Sequence, residues 1–459
     1  MRADPKGTRR YAGIDVGGTK IQASLVEESG AVVARKRCPT PREGPAEETL
    51  AAIEQTLAEM IEAQGLAGSD LAAVGIAVPG VVDPKKGRVV VTPNMNLSDT
   101  QIVARLEARF GTAVALGNDT NLGTLGETWL GAARGARSAF GIFVGTGVGG
   151  GFVQKRRLWS GHRNAAAEIG HIVMEVDGPE CGCGNRGCLE ALASRSAIER
   201  DLRAAIDAGR ETVLTDLLGD DLGRIKSGKL AAALDEGDRL VQEVMGHAAV
   251  ILGHACLTVR HLVDPEVIVI GGGVFEACGD FLFPIIRRIV DADRLPGARE
   301  GGQVRLSALE DDAVTLGAVA LARQRVKRDP FKKKFAVRPD YPELRPAKTG
   351  KVAVGDEVYD RDFYVRVNGK VKPYKGFKKQ DRSNGGLQVE AKPLSKVCKG
   401  GPEIVFVGTG EGENVRLTED AEAFLKRRAI DYEARPTPEA IEAYNRCTRR
   451  KAVLICVDA

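Results

Sequence analysis

The chain has 459 residues, 66 Lys and Arg against 62 Asp and Glu for a formal charge of +4, and 43% hydrophobic residues. It is therefore too long for one ordinary core, so two or three domains are expected, of globular rather than disordered composition. The small charge and the lack of a long basic stripe in the first 320 residues mean that charge alone suggests no nucleic-acid partner, no run of about 18 apolar residues calls for a membrane, and MRADPKGTRRYAGIDVGGTK has no signal-peptide core.

In chain order, YAGIDVG and IQASLVEE read as two strands joined by a tight turn at Gly17-Gly18. Past Pro45, the positions Leu50, Ile53, Leu57, Met60 and Ile61 recur at helical spacing. AAVGIAVPG is a buried-strand run closed by Pro79-Gly80, IVARLEARF a short amphipathic helix, and TAVALGND again a strand. A second cycle opens at AFGIFVGTGVGGGFV, two strands about another glycine turn. Helices are expected from about Ser194 to Arg260, then the apolar strand EVIVIGGGV and a closing helix DAVTLGAVALARQRV. Alternating strands and helices indicate an α/β domain with covered sheets, and the two similar starts point to a duplication of two related lobes.

The composition then shifts. RQRVKRDPFKKKFAVRPDYPELRPAKTGK is basic and Pro-punctuated, and reads as a connector or as an arm for an anionic partner. Strands at FYVRVNG and EIVFVGTG, helices at TEDAEAFLKRRA and TPEAIEAYNRCTR, and a last strand KAVLICVDA form a second, smaller α/β domain. The expected boundaries are 10–326 for the two-lobed domain, 327–350 for the connector and 351–459 for the small domain.

Several clusters carry chemistry. In DVGGTK, Gly17 and Gly18 let backbone N–H groups approach an anion, Thr19 adds a hydroxyl, and Lys20 closes the motif. Asp15 would repel a phosphate unless a cation intervened, which indicates Mg2+ held through water. Gly145, Thr146 and Gly147 offer a second turn. One such turn also serves a tight hairpin; two opening similar lobes indicate a nucleotide held between them, with Gly271, Gly272 and Gly273 as a place for its flat ring. LGNDTN sets Asp119 at a strand exit between Asn118 and Asn121. That cluster is either a helix cap or a hydroxyl-recognition site, where the Asp of a kinase would accept the proton of the attacking hydroxyl.

His171, Cys181, Cys183 and Cys188 supply one imidazole and three thiols, the inventory of a closed structural zinc site, with glycines freeing the intervening backbone. The absence of export signals makes the expected compartment a reducing cytoplasm, where nine cysteines do not read as a disulfide framework. The flanking Glu168 and Glu190 read as polyol-binding carboxylates or as ordinary surface and capping glutamates.

Together these motifs resemble the ROK family of sugar kinases, open reading frames and repressors, over about Arg10 to Val326. DVGGTK, GNDTN, FVGTGVGGG, and EIGH followed by CGCGNRGCLE carry the resemblance. It implies an actin-like ATPase (ribonuclease H-like) fold, ATP and Mg2+, structural Zn2+, and Asp119 as general base. It also implies that Asn94, Asn118, Glu168, His171 and Glu190 contact a sugar, His171 being a zinc ligand as well, and that the protein is a homodimer. The expected substrate is a hexose, glucose on family grounds, with N-acetylmannosamine, N-acetylglucosamine, allose and fructose as alternatives and polyphosphate as an alternative donor. Ala167 stands where the family usually has Gly, and PNMNLSD where it has PN-x-x-GW, so the identity of the sugar stays open. Family repressors carry an N-terminal helix-turn-helix, for which a first strand at about Tyr11 is expected to leave no room; a sugar-sensing regulator without catalysis is the alternative of another class. The tail from about Gly355 to Ala459 resembles a small α/β family related to a mitochondrial complex I assembly factor, with no established catalytic set. Its VGTGEG is a third anion turn or a tight strand-to-helix connection, and the domain is expected to be an interaction or regulatory module of unknown partner.

Overall fold

Val-, Ile- and Ala-rich runs build two five-stranded sheets in a computed structural model. It describes residues 9–41, 43–92, 95–219, 225–297, 301–332, 341–347, 350–355, 357–367, 369–374, 387–399, 401–410, 415–428, 430–447 and 449–457. The first sheet runs Val32–Pro39, Lys20–Glu27, Arg10–Val16, Leu71–Val78, Val114–Asn118, the first three strands antiparallel and the last three parallel. The second repeats that pattern with Arg157–Leu158, Val148–Gln154, Ser138–Val144, Val267–Gly271 and Gln303–Leu306. The shared order is the structural counterpart of the two similar strand–turn–strand cycles in the sequence.

The expected helix after Pro45 spans Ala46–Glu62 and buries Leu50, Ile53, Leu57, Met60 and Ile61 in the first core. Between the strand EVIVIGGGV and the closing helix, where no element is expected, lies the helix Gly273–Asp291, which carries Pro284 in its interior, an unfavourable place for proline. The helix forms nonetheless, burying Phe275, Cys278, Leu282, Phe283, Ile286 and Val290 on one face while Pro284 stays exposed. Beside it lies Arg239–Val263, which among the described residues is the one helix long and apolar enough to cross a membrane; half of its apolar window is buried inside the second lobe.

Helices Asp119–Leu130 and Ala313–Arg325 join the lobes, and glycine permits their approach. A Cβ on Gly317 would stand 1.6 Å from the Leu122 carbonyl oxygen, and one on Gly126 2.1 Å from that of Ala313. The same helix presses on the first sheet, where a Cβ on Gly75 would meet the Ala318 carbonyl oxygen at 1.9 Å.

The small domain carries a sheet in the order Val371–Pro373, Phe363–Val365, Lys451–Ile455, Ile404–Gly408, Asp431–Arg435. Strand alternation sends Val405 and Val407 to one core with Leu394, Phe424 and Leu425, and Ile404 and Phe406 to another with Ile441 and Tyr444. The strand Leu344–Pro346 falls inside the stretch expected to be a connector. It pairs with Val352–Val354, and both backbone groups of the buried Leu344 bond to the Asn445 side chain, so this piece belongs to the small domain's packing. The domain docks through Arg428, which donates to the Ser307 carbonyl at 2.9 Å and pairs with Glu310, and through the pairs Arg427–Asp280 and Arg134–Glu403.

Candidate active site

The first glycine turn is closed by the Gly17 N–H donating to the Lys20 carbonyl at 2.9 Å. It is stapled from the third strand's end, where the Thr40 hydroxyl donates to the Gly17 carbonyl at 2.6 Å and the Thr40 N–H to that of Thr19 at 3.1 Å. Lys20 reaches out of the turn to Asp311 at 3.0 Å. In the second turn the Gly145 N–H bonds to the Gly147 carbonyl at 2.8 Å. Arg195, which lies outside the sequence motifs, holds this turn twice: its N–H donates to the Gly145 carbonyl and its guanidinium to the Thr146 hydroxyl at 2.7 Å. The nearest sequence signal is its place at the helix start just past CLE. A Cβ on Gly145 or Gly273 would meet nothing within 4 Å, so both backbones border open space, and Gly272 (φ 93°) packs on the Val144 carbonyl, joining ring platform and turn. The second turn thus borders an open glycine surface with room for a flat group.

Of the two readings of LGNDTN, Asn118 takes the cap. Its Oδ1 accepts from the Asn121 N–H at 3.1 Å and the Thr120 hydroxyl at 2.9 Å, and its amide donates to the Gly80 carbonyl at 3.1 Å. Asp119 is thereby fixed as the first residue of its helix, accepting from the Thr120 N–H at 2.8 Å, with no cation paired to it among the described residues. Burial raises its pKa. Asp15 is pushed up to about 7, first by burial and next by the Asp119 charge, against Lys20. Two mutually repelling neighbouring carboxylates are a donor set that fits a divalent cation such as Mg2+.

Glu168 is raised by burial, then opposed by His171 and reinforced by Asp119 and Glu190, which places the four groups in one electrostatic neighbourhood. Ala167 before it has φ 66°, the left-handed region where glycine is favoured, and this is the physical content of the Gly-to-Ala departure. Glu190 Oε2 accepts from the Val148 N–H at 2.9 Å, while Oε1 lies 3.8 Å from the Cys181 sulfur. A Cβ on Gly147 would stand 2.3 Å from that carboxylate, so the second turn and Glu190 are in contact.

The ligand atoms of His171, Cys181, Cys183 and Cys188 all lie within 4.8 Å of one another. His171 Nδ1 to Cys181 Sγ and Cys183 Sγ to Cys188 Sγ are each 3.7 Å. A tetrahedron with arms of about 2.3 Å has edges of about 3.8 Å, so the donor set and its spacing fit zinc. Burial pushes the Cys188 thiol up, and a dication is what would hold such a sulfur as thiolate. Gly187 (φ 69°) allows the loop, since a Cβ there would lie 1.6 Å from the Glu175 carbonyl oxygen. The structure thus brings together Asp15, Asp119, Glu168, His171 and Glu190 on the acidic side and the two glycine turns beside them; Asn94 lies outside the described residues.

The ROK family profile matches residues 11–325, and one described as a protein of unknown function (DUF498/DUF598) matches residues 346–456. The glucokinase of Thermotoga maritima is 34% identical over 319 residues, covering 69% of this chain and 98% of that relative. The structure of a ROK family glucokinase from Streptomyces griseus in complex with glucose and AMPPNP aligns with a TM-score of 0.60 at 32% identity, over 69% of this chain and 99% of that one. A DNA-binding transcriptional dual regulator of Escherichia coli is 29% identical over 313 residues, covering 68% of this chain and 75% of that protein.

Proposed function

We propose that this chain, which belongs to the ROK family and has an actin-like ATPase fold with a second small α/β domain, is an ATP-dependent hexose kinase acting first on glucose. The observation that carries this is the placement of Asp119, a carboxylate without a cation partner among the described residues, beside Asp15 of one glycine turn and in the field of Glu168. The names of its relatives support glucose and AMPPNP-type donors.

Sugar hydroxyls bind Glu168, Glu190 and His171, and Asp119 takes the proton from the hydroxyl that attacks the γ-phosphoryl. A pKa above the ordinary carboxylate value moves Asp119 toward working pH, where a base combines ionisation with proton affinity. Among the described residues the N–H groups of Thr146 and Gly147 have no acceptor and suit the developing phosphoryl charge. Mg2+ held by Asp15 and Asp119 would supply the remaining neutralisation, and zinc held by His171, Cys181, Cys183 and Cys188 would supply rigidity, fixing the loop that orients Glu190.

A coupled ADP-release assay over glucose, N-acetylmannosamine, N-acetylglucosamine, allose and fructose tests this, with Asp119→Asn alongside. Turnover on glucose should be highest, and the variant should lose about 100- to 10,000-fold in kcat while retaining sugar binding. Near-normal kcat in the variant refutes the base. Sugar binding without turnover on any sugar moves the reading to a sensor, which the similarity to a transcriptional regulator favours.

A further inference from the structure

Where the small domain meets both lobes lies a cavity of about 490 Å³ that the phosphoryl-transfer chemistry does not use. The size is that of a small-molecule site. Its walls come from the hairpin linking the second and third strands, from residues 308–312, and from the small domain. Charge on these walls is uneven: Arg35, Arg37, Arg366, Lys399 and Arg450 face Glu310, Asp311 and Asp312. Each of the three carboxylates already holds a cation, through Arg35–Asp312, Arg37–Asp311 at 2.9 Å, and Arg428–Glu310 at 3.3 Å. Arg366 instead donates to the neutral Lys396 carbonyl at 3.0 Å and Tyr364 hydroxyl at 3.2 Å. Neither Arg366 nor Lys399 pairs with a carboxylate among the described residues. One part of the wall is apolar, formed by Val32, Leu309 and Leu316.

We propose that this cavity binds a small organic phosphate, of about sugar-phosphate size, and that its occupancy weakens nucleotide binding. The guanidinium fork of Arg366 matches a phosphate, Lys399 adds a point charge, and the apolar wall accommodates a carbon skeleton that inorganic phosphate lacks. The link to the nucleotide is Asp311, shared between Arg37 in the cavity and Lys20 of the first glycine turn at 3.0 Å. An anion that draws Arg37 away leaves Asp311 to hold Lys20 alone, and Lys20 is then less available to a phosphate chain. The binding site stands apart from the kinase reading; only the coupling rests on Lys20 meeting nucleotide.

The test is calorimetric titration of the full chain with ribose 5-phosphate, and separately with inorganic phosphate, using Lys399→Gln and Arg366→Gln. Ribose 5-phosphate should bind saturably, at least tenfold more tightly than inorganic phosphate. Each substitution should weaken it about tenfold, the loss of one charge-assisted contact. Among the described residues the Lys399 side chain makes no hydrogen bond, so its variant keeps the test valid if Arg366→Gln disturbs folding. Saturating ribose 5-phosphate should weaken AMPPNP binding about fivefold to a plateau, and AMPPNP should weaken ribose 5-phosphate by the same factor. No saturable binding, or binding unchanged in both variants, overturns the site. Equal binding of inorganic phosphate overturns the organic class, and an AMPPNP affinity indifferent to ribose 5-phosphate overturns the coupling.

Discussion

Asp15→Asn should make the ligand-free protein more stable at pH 8 and much less so at pH 5. The folded carboxyl ionises at about 7 and the reference value is 3.8, so the native state binds the extra proton between those values. Stability therefore falls as pH rises from about 4 to 7 and is flat above, because the cost of the buried charge is then complete. A shift of about 3 units at 1.36 kcal/mol each sets a ceiling of about 4 kcal/mol. Asp15 is partly exposed, and screening brings the working figure to about 2 kcal/mol. Asparagine carries no charge, so it recovers this at pH 8. Both tryptophans, Trp129 and Trp159, lie in the two-lobed domain, and their fluorescence reports its thermal unfolding without the small domain. At about 2 °C per kcal/mol the gain should be about 4 °C at pH 8 and under half of that at pH 5. The variant should also lose the added stability that Mg-AMPPNP confers on the parent. An equal gain at both pH values, or a loss at pH 8, would refute the electrostatic account.

Purified protein should contain one zinc per chain by metal analysis, and Cys183→Ser or chelation should abolish sugar binding by titration while the small domain stays folded; full sugar affinity without metal contradicts the zinc reading. Ala167→Gly should raise stability by about 0.5 kcal/mol, since relief of a left-handed alanine outweighs the entropy of glycine; a lower unfolding temperature would show that the φ of 66° is not strained. Gly317→Ala should destabilise by about 3 kcal/mol in urea unfolding, the upper part of ordinary overpacking, because the added methyl meets the Leu122 backbone rather than a movable side chain. An unchanged midpoint would mean the two helices separate easily.

The chemistry-bearing clusters are legible in the sequence because their donors are close in the chain: Cys181, Cys183 and Cys188 fall in one loop, and each glycine turn is contiguous with the strands that hold it. The alternation of strand and helix is legible for a similar reason, since burial on one face imposes a period. What escapes is set by partners far apart. Helix Gly273–Asp291 overrides its internal proline only through packing against the second lobe. Arg195 acquires meaning only when the fold brings it to 2.7 Å from Thr146, 49 positions away along the chain. Glu127 sits in GETWL like a surface glutamate, yet it is fully buried, accepting from the Ser307 hydroxyl at 2.6 Å and the N–H groups of Ala132, Ala308 and Leu309. It thereby ties the helix that Asp119 begins to the loop that leads into Asp311, a coupling that no local motif encodes.

That tie gives the small domain's position a mechanical consequence. Its strong contacts are with the second lobe and the 307–310 loop, where Arg427, Arg428 and Glu403 make charge-assisted pairs. Among the described residues it also meets the first lobe, where Lys370 donates to the Val33 carbonyl at 3.3 Å. Movement of one lobe toward the other would therefore carry the small domain with the second lobe and slide it along the Lys20–Glu27 and Val32–Pro39 hairpin. The cavity lies on that sliding boundary, with Arg35 and Arg37 on one side and Arg366 and Lys399 on the other. A ligand bridging the two sides favours one lobe arrangement by its differential affinity alone, without touching the cleft. Among the described residues the small domain contributes none to the acidic cluster around Asp119, so an effect of such a ligand on that cluster would run through lobe position.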